Sequence, residues 1–215
     1  MIDDPDLTVG FLDDALRQEF PELALVYTHV DARPVRSPRE VRARLREASN
    51  RFTGGKAVAL RQQPIPWAYR VFFRHVGIDP DEHRTPIEAI ALERMRAGGF
   101  RSRNLLDDAL LIATVETGVP VQAFDAGAVE GALGLRLARE GERLGGEGRF
   151  VRSGQVLIAD ERRSLGVLFG DLADGAGVQP ETQRMIVAAV RVKGVPAVSV
   201  EEALWTAVET LTGQG

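Results

Sequence analysis

N-L-L-D-D-A-L-L-I-A-T-V-E-T-G-V-P-V-Q-A-F-D, running from Asn104 to Asp125, decides the fold class. An apolar helical pattern ends at Gly118, a residue type that closes helices in the left-handed region. Pro120 then opens a short apolar strand, which ends on Phe124-Asp125. Helix and strand in one apolar run point to an α+β chain, with mixed sheets flanked by helices.

Upstream, Ser102 stands where a helix cap is expected, after a break at Gly98-Gly99. Thr85-Pro86-Ile87-Glu88 is a capping box with proline at the first helical position, predicting a helix to about Ala97. Pro66 to Val76 reads as a helix ended by Gly77, followed by a turn-rich loop to Arg84. Thr53-Gly54-Gly55-Lys56 reads as a turn and lacks the spacing of a phosphate loop. Ser37-Pro38 places a capping hydroxyl before a proline and predicts a helix to about Phe52. Leu23 to Val30 reads as a strand, and Asp13 to Phe20 as a short helix stopped by Pro21.

Downstream, short strands are predicted near 119–124, 133–139, 155–159, 164–169 and 185–192. Gly145-Gly146-Glu147-Gly148 is a hairpin-like loop between two of them. Ser199 with Glu202 is read as the cap of a last helix ending near Gly213. A helical and strand lobe over 1–62 continues into a core over 63–215, so 1–215 reads as one compact domain.

With 215 residues, 44% of them hydrophobic, the chain can bury a sizeable core. No run of about 18 apolar residues exists, so no membrane partner is expected. The opening Met-Ile-Asp-Asp-Pro-Asp is acidic and lacks the basic and apolar parts of a signal peptide. A chain without cysteine has no disulfide, thiolate metal site or thiol nucleophile. Cytoplasmic residence is the resulting expectation.

The net charge of −4 is unevenly spread. Residues 1–32 hold eight acids and one base, whereas residues 33–61 hold nine bases and two acids. Eight of those nine bases are arginine, which grips phosphate with a planar fork. Arg39, Arg42 and Arg46 share one face at helical spacing and fit a nucleic-acid backbone. A solvated helix paired with the acidic N-terminal segment accounts for the same pattern.

General catalytic signatures are missing: there is no G-x-S-x-G, H-E-x-x-H or G-x-G-x-x-G. The three histidines, His29, His75 and His83, have no metal-like spacing, and neither metal nor cofactor is expected. His29 and His75 sit in strand and helix patterns and read as structural, while His83 lies in an acidic loop where a functional or a structural role is open.

Several short motifs occur in a fixed order. They are Tyr69-Arg70; Gly77-Ile78-Asp79-Pro80; Arg84 to Ala89; Asn104 with Asp108; Pro120; and Phe124-Asp125. Gly131-Ala132-Leu133, Leu135-Arg136-Leu137-Ala138 with Gly141-Glu142, Val156 to Asp160, Val167 to Gly170 and Thr182 follow. Together they resemble the B3/B4 domain of the phenylalanyl-tRNA synthetase β subunit and its freestanding relatives. That domain removes wrongly attached amino acids from tRNA. The resemblance covers about residues 66–195 and implies a B3/B4-like fold, an aminoacylated tRNA end as partner, and no role for DNA.

The departures from the family pattern bear on activity. Leu110-Leu111 replace its Thr-Asn, Gln122 replaces its histidine, and Ala188 stands at its acidic position. The resemblance therefore implies a pocket made more apolar, suited to an apolar or small amino acid. Leu110, Leu111 and Ala188 would line it. Gln122 would donate to the ester carbonyl or hold a water, or else be a satisfied half-buried amide. Asp171 or Asp174 would bind the substrate ammonium, or serve only turn chemistry. Thr182 would hold the ester or ribose, while Asp108 and Asp125 fix the local backbone. The leading expectation is an aminoacyl-tRNA deacylase acting in trans. A non-catalytic tRNA or aminoacyl-group binding module and a protein-interaction domain that kept the fold are the alternatives.

Overall fold

The computed structural model describes residues 6–213; the acidic opening over 1–5 and the last two residues lie outside the described residues. Two four-stranded sheets carry the fold. The first has the order β1 (Thr8–Val9), β3 (Ala24–Asp31), β8 (Arg184–Arg191), β4 (Val121–Asp125), all antiparallel. The second runs β2 (Phe11–Leu12), β5 (Gly134–Leu137), β6 (Val156–Ala159), β7 (Ser164–Val167). Its β2–β5 pair is parallel and the rest antiparallel, so this sheet is mixed. The α+β reading holds.

Residues 8–12 join the sheets, with β1 in one and β2 in the other. Gly10 sits at the crossing, where a Cβ would collide with the Leu133 carbonyl oxygen. Neither two-residue strand was legible, because so short a run carries no alternation to read. The 1–62 segment thus supplies strands to both sheets, and β3 pairs with β8 along its whole length.

Seven α-helices are present among the described residues: α1 (Asp14–Glu19), α2 (Arg39–Arg51), α3 (Gly54–Ala59), α4 (Pro64–His75), α5 (Pro86–Ala97), α6 (Leu105–Thr117) and α7 (Ala197–Thr212). Helix α7 lies across β8, β3 and β4, and packs against α6, which packs on α2. The main core gathers Leu16, Tyr69, Phe124, Leu135, Leu157 and Leu204. Tyr69 Oη donates to the Val190 carbonyl at 2.7 Å, and burial pushes its phenol well above the ordinary range.

Four expectations need correction. Thr53 to Lys56 is no turn: Ala57 N–H donates to Thr53 O at 3.0 Å and starts α3. Phe52, Leu60, Ile87 and Ala91 form a second small core there, and their burial overrides the poor helix propensity of the paired glycines. Ser37 and Ser102 do not cap their helices. Both hydroxyls donate to the buried Asp108 carboxylate, at 2.6 and 2.5 Å, while Asn104 caps α6 by accepting from Asp107 N–H at 2.8 Å. Helix α7 starts at Ala197 after Pro196, so Ser199 lies inside its first turn. The capping box of α5 is present as read, with Glu88 Oε2 accepting from Thr85 N–H.

Candidate functional site

The site grows from the α6–β4 unit. Asn104 starts α6, and Gly118, at φ 77°, ends it. Thr114 Oγ1 then accepts the Val121 N–H at 3.3 Å, which ties the helix to the first residue of β4. Alongside lies an open groove of about 580 Å³ between α5 and α6, within the ~300–1,000 Å³ range of small-molecule sites. Ile90, Phe100, Leu110, Leu111 and Val121 give it an apolar floor. Arg94, Arg101 and Arg103 add positive charge, countered by Glu93, Asp107 and the buried Asp108. Arg103 pairs with Glu93 at 3.2 Å, and Asp107 accepts from Asn104 Nδ2 at 3.1 Å, so Arg101 is the least committed cation of the three. The resemblance offered no hint of these arginines; only the R-x-R run at 101–103 marks them in the sequence.

Asp108 holds the groove to the basic helix. Its carboxylate is 1% exposed and accepts from Ser37 Oγ, Ser102 Oγ and Arg103 N–H. At the other end of α2, Ser49 Oγ accepts from Phe100 N–H at 3.0 Å and Ser49 O from Arg94 at 3.0 Å. Helix α2 is thereby pinned beside the groove at both ends.

On α2, Leu45, Ala48 and Ser49 face inward, while Arg39 and Arg46 are exposed and Arg42 half-buried. The side chains of Arg39, Arg42 and Arg46 make no ion pair or hydrogen bond among the described residues. Other arginines of the basic segment do pair: Arg44 with Glu116 at 2.6 Å, Arg51 with Glu47 at 3.0 Å, and Arg61 with Glu88 at 2.9 Å. None of these partners belongs to the acidic N-terminal segment. Its Asp13 caps α1, and its Asp31 meets Arg184 at 3.0 Å.

The remaining candidates fall into separate places. Gln122 and Ala188 are cross-strand neighbours, with Tyr27 next in the same row. Successive residues of a strand face opposite sides, so Gln122 projects from the face opposite Val121 and the Leu110–Leu111 groove. Gln122 is half-buried, and its amide has no partner among the described residues. Ala188 is fully buried. Thr182 is committed: its hydroxyl donates to Asp125 Oδ2 at 2.7 Å and accepts from Gln179 N–H at 3.0 Å. It sits at the Asp125 end of β4, about 10 Å along the strand from Gln122. Asp171 is exposed and meets Arg149 at 3.0 Å, and Asp174 is exposed in a turn. Neither loop carboxylate makes a hydrogen bond to Gln122 among the described residues. Asp125 also accepts from Gly127 N–H at 2.8 Å, the backbone-fixing role expected of it.

Two four-stranded sheets with helices against them, and a groove beside the edge strand β4, define an α+β domain. The B3/4 domain family matches residues 68–203, and the chain belongs to that family. It is similar to the β subunit of phenylalanine–tRNA ligase. Identity is 34% over 94 residues with the protein of Streptomyces avermitilis, 33% over 100 with that of Dickeya dadantii, and 29% over 100 with that of Photorhabdus laumondii. The matched stretch covers 42–44% of this chain and only 11–12% of the relatives' own length. No helix among the described residues is long and apolar enough to cross a membrane.

Proposed function

We propose that this chain binds the aminoacylated end of a tRNA and hydrolyses its ester in trans, as a cytoplasmic deacylase for apolar or small amino acids. The observation that carries the reading is the arginine face of α2, unpaired among the described residues and pinned beside an apolar groove by Asp108 and Ser49. Arg39, Arg42 and Arg46 take backbone phosphates. Leu110 and Leu111 receive the amino-acid side chain, and Ala188 keeps the row beside Gln122 narrow in bulk.

Hydrolysis of an activated ester needs little beyond positioning and charge stabilisation. A water oxygen attacks the acyl carbon, and the bond from that carbon to the ribose oxygen breaks. The ribose oxygen takes up the proton that the water loses, leaving free amino acid and a tRNA hydroxyl. Gln122 orients the water or donates to the carbonyl oxygen. Thr182 and Asp171, engaged by Asp125 and Arg149, act at most by shaping the loop beside β4.

The test is release of amino acid from a panel of twenty aminoacyl-tRNAs at low salt, with wild type and Gln122→Ala. Release of one or a few apolar residues, slowed by about 10²-fold or more in the variant, is expected. Release of none would remove the enzymatic reading. Salt-sensitive retention of tRNA without release would leave a binding module, which the free arginines alone would support.

A further inference from the structure

Among the described residues, one outward N–H on the edge of β4 is left open. In an antiparallel sheet, opposed residues alternate between pairs that exchange hydrogen bonds and pairs that do not. Ala32 N–H donates to Gln183 O at 3.0 Å, so odd-numbered β8 residues bond towards β3 and even-numbered ones towards β4. Ala188 and Ile186 therefore bond Gln122 and Phe124, and the N–H groups of Val121, Ala123 and Asp125 point to the free edge. Thr114 Oγ1 takes the first, and Ala176 O takes the third at 3.0 Å. The N–H and C=O of Ala123, between them, have no partner among the described residues. Ala123 is only 7% exposed, and backbone groups in such places are almost always paired.

We propose that Ala123 pairs, through its backbone N–H and C=O, with the α-aminoacyl unit of the substrate, as a single-residue extension of the sheet. The proposal rests on the aminoacyl-tRNA reading and specifies its site. An aminoacyl ester offers one ammonium and one carbonyl, spaced as in one residue of a strand. The ammonium donates to Ala123 O and the ester carbonyl accepts from Ala123 N–H. When water adds, the negative charge gathers on that carbonyl oxygen, held by a donor already in place. A longer peptide cannot add here, because both neighbouring N–H groups are taken. The position also unites the divided candidates: Leu111 and Val121 lie to one face of β4, Gln122 to the other, and the open donor on the edge between them. Side-chain selection and backbone recognition are thus separate, so replacement of polar pocket residues leaves the class of substrate unchanged.

Ala123→Pro deletes the donor at an edge position whose N–H points away from the sheet, where proline is best tolerated. Deacylation is expected to fall about 10²–10³-fold with tRNA retention kept within about twofold. A folded Ala123→Pro protein with wild-type turnover overturns the proposal. A second measurement needs no variant. Protein labelled with ¹⁵N-alanine is titrated with an amide-linked 3′-aminoacyl-adenosine that cannot hydrolyse. The Ala123 amide proton is expected to move downfield, and an unmoved resonance at saturation overturns the pairing. If wild type releases amino acid while this resonance stays fixed, the pairing fails and the deacylase reading stands. If wild type releases nothing and the resonance moves, the pairing stands and the chain is a binder.

Discussion

Replacing Glu88 by alanine should cost this protein about 4 kcal/mol. Glu88 and Arg70 form a buried pair, with side chains 5% and 4% exposed and 2.6 Å between Oε1 and the guanidinium. Glu88 Oε1 also meets Arg61 at 2.9 Å, and its Oε2 accepts from the N–H and hydroxyl of Thr85 at the start of α5. Removing one member of a buried pair typically costs ~3–5 kcal/mol, because the remaining charge stays desolvated. Here Asp81, half-exposed, still reaches Arg70 at 2.7 Å, which favours the low end of that range. Loss of the capping box adds about 1 kcal/mol. For a chain of 215 residues the sum predicts a Tm lower by roughly 8–16 °C. Thermal unfolding at neutral pH measures it. Arg70→Met combined with Glu88→Leu should recover most of the loss, since apolar replacement of a buried pair is often neutral or better. A Glu88→Ala Tm within about 2 °C of wild type, or a double variant no better than the single one, would refute the reasoning.

Substituting Arg39, Arg42 and Arg46 together by glutamine should reduce the salt slope of tRNA binding by about 2.7, or ~0.9 for each phosphate no longer neutralised. From 50 to 200 mM salt, the wild-type affinity then falls about 40-fold more than the variant's, and equal slopes in filter binding would exclude this face as the tRNA-binding surface. The Arg136 fork on Glu142, and next the Arg139 N–H, hold the Glu142 carboxyl down at about 2, against 4.5 when free. A lowered folded-state pKa contributes stability above the unfolded value and loses it as pH falls. Glu142→Gln should therefore narrow the stability gap to wild type between pH 4.5 and about 2, seen as converging denaturant midpoints. Phe169 adopts φ 57° while stacking on Phe73 at 5.5 Å and meeting Tyr69 edge-on at 5.7 Å. Phe169→Gly should consequently be about 1 kcal/mol more stable than Phe169→Ala, by chemical denaturation, because only glycine sheds the left-handed strain. The reverse order would show that the backbone there carries no strain.

Elements with strong local signals were legible. The Thr85-Pro86-Ile87-Glu88 box and the Gly118 stop act within a few residues of themselves, so their geometry follows from local hydrogen bonds and steric preference. Ser37 and Ser102 have the right residue type for caps but bond Asp108 instead, up to 71 residues away in sequence. A hydroxyl's choice between its own helix and a distant carboxylate depends on what packing brings near, which local sequence does not encode. Thr53 to Lys56 failed for a related reason, since its helix is held by burial against Phe52 and Leu60.

Residue type and spacing along one chain already carry the family pattern, the apolar replacements at Leu110, Leu111 and Ala188, and a basic face at Arg39, Arg42 and Arg46. Tertiary packing settles the rest: among the described residues those arginines have no partner, Gln122 and Leu110 lie towards opposite faces of β4, and Ala123 is the strand residue whose outward N–H stays open. Each depends on pairing register and on which donors are already taken, and both are set by packing between segments far apart in the chain.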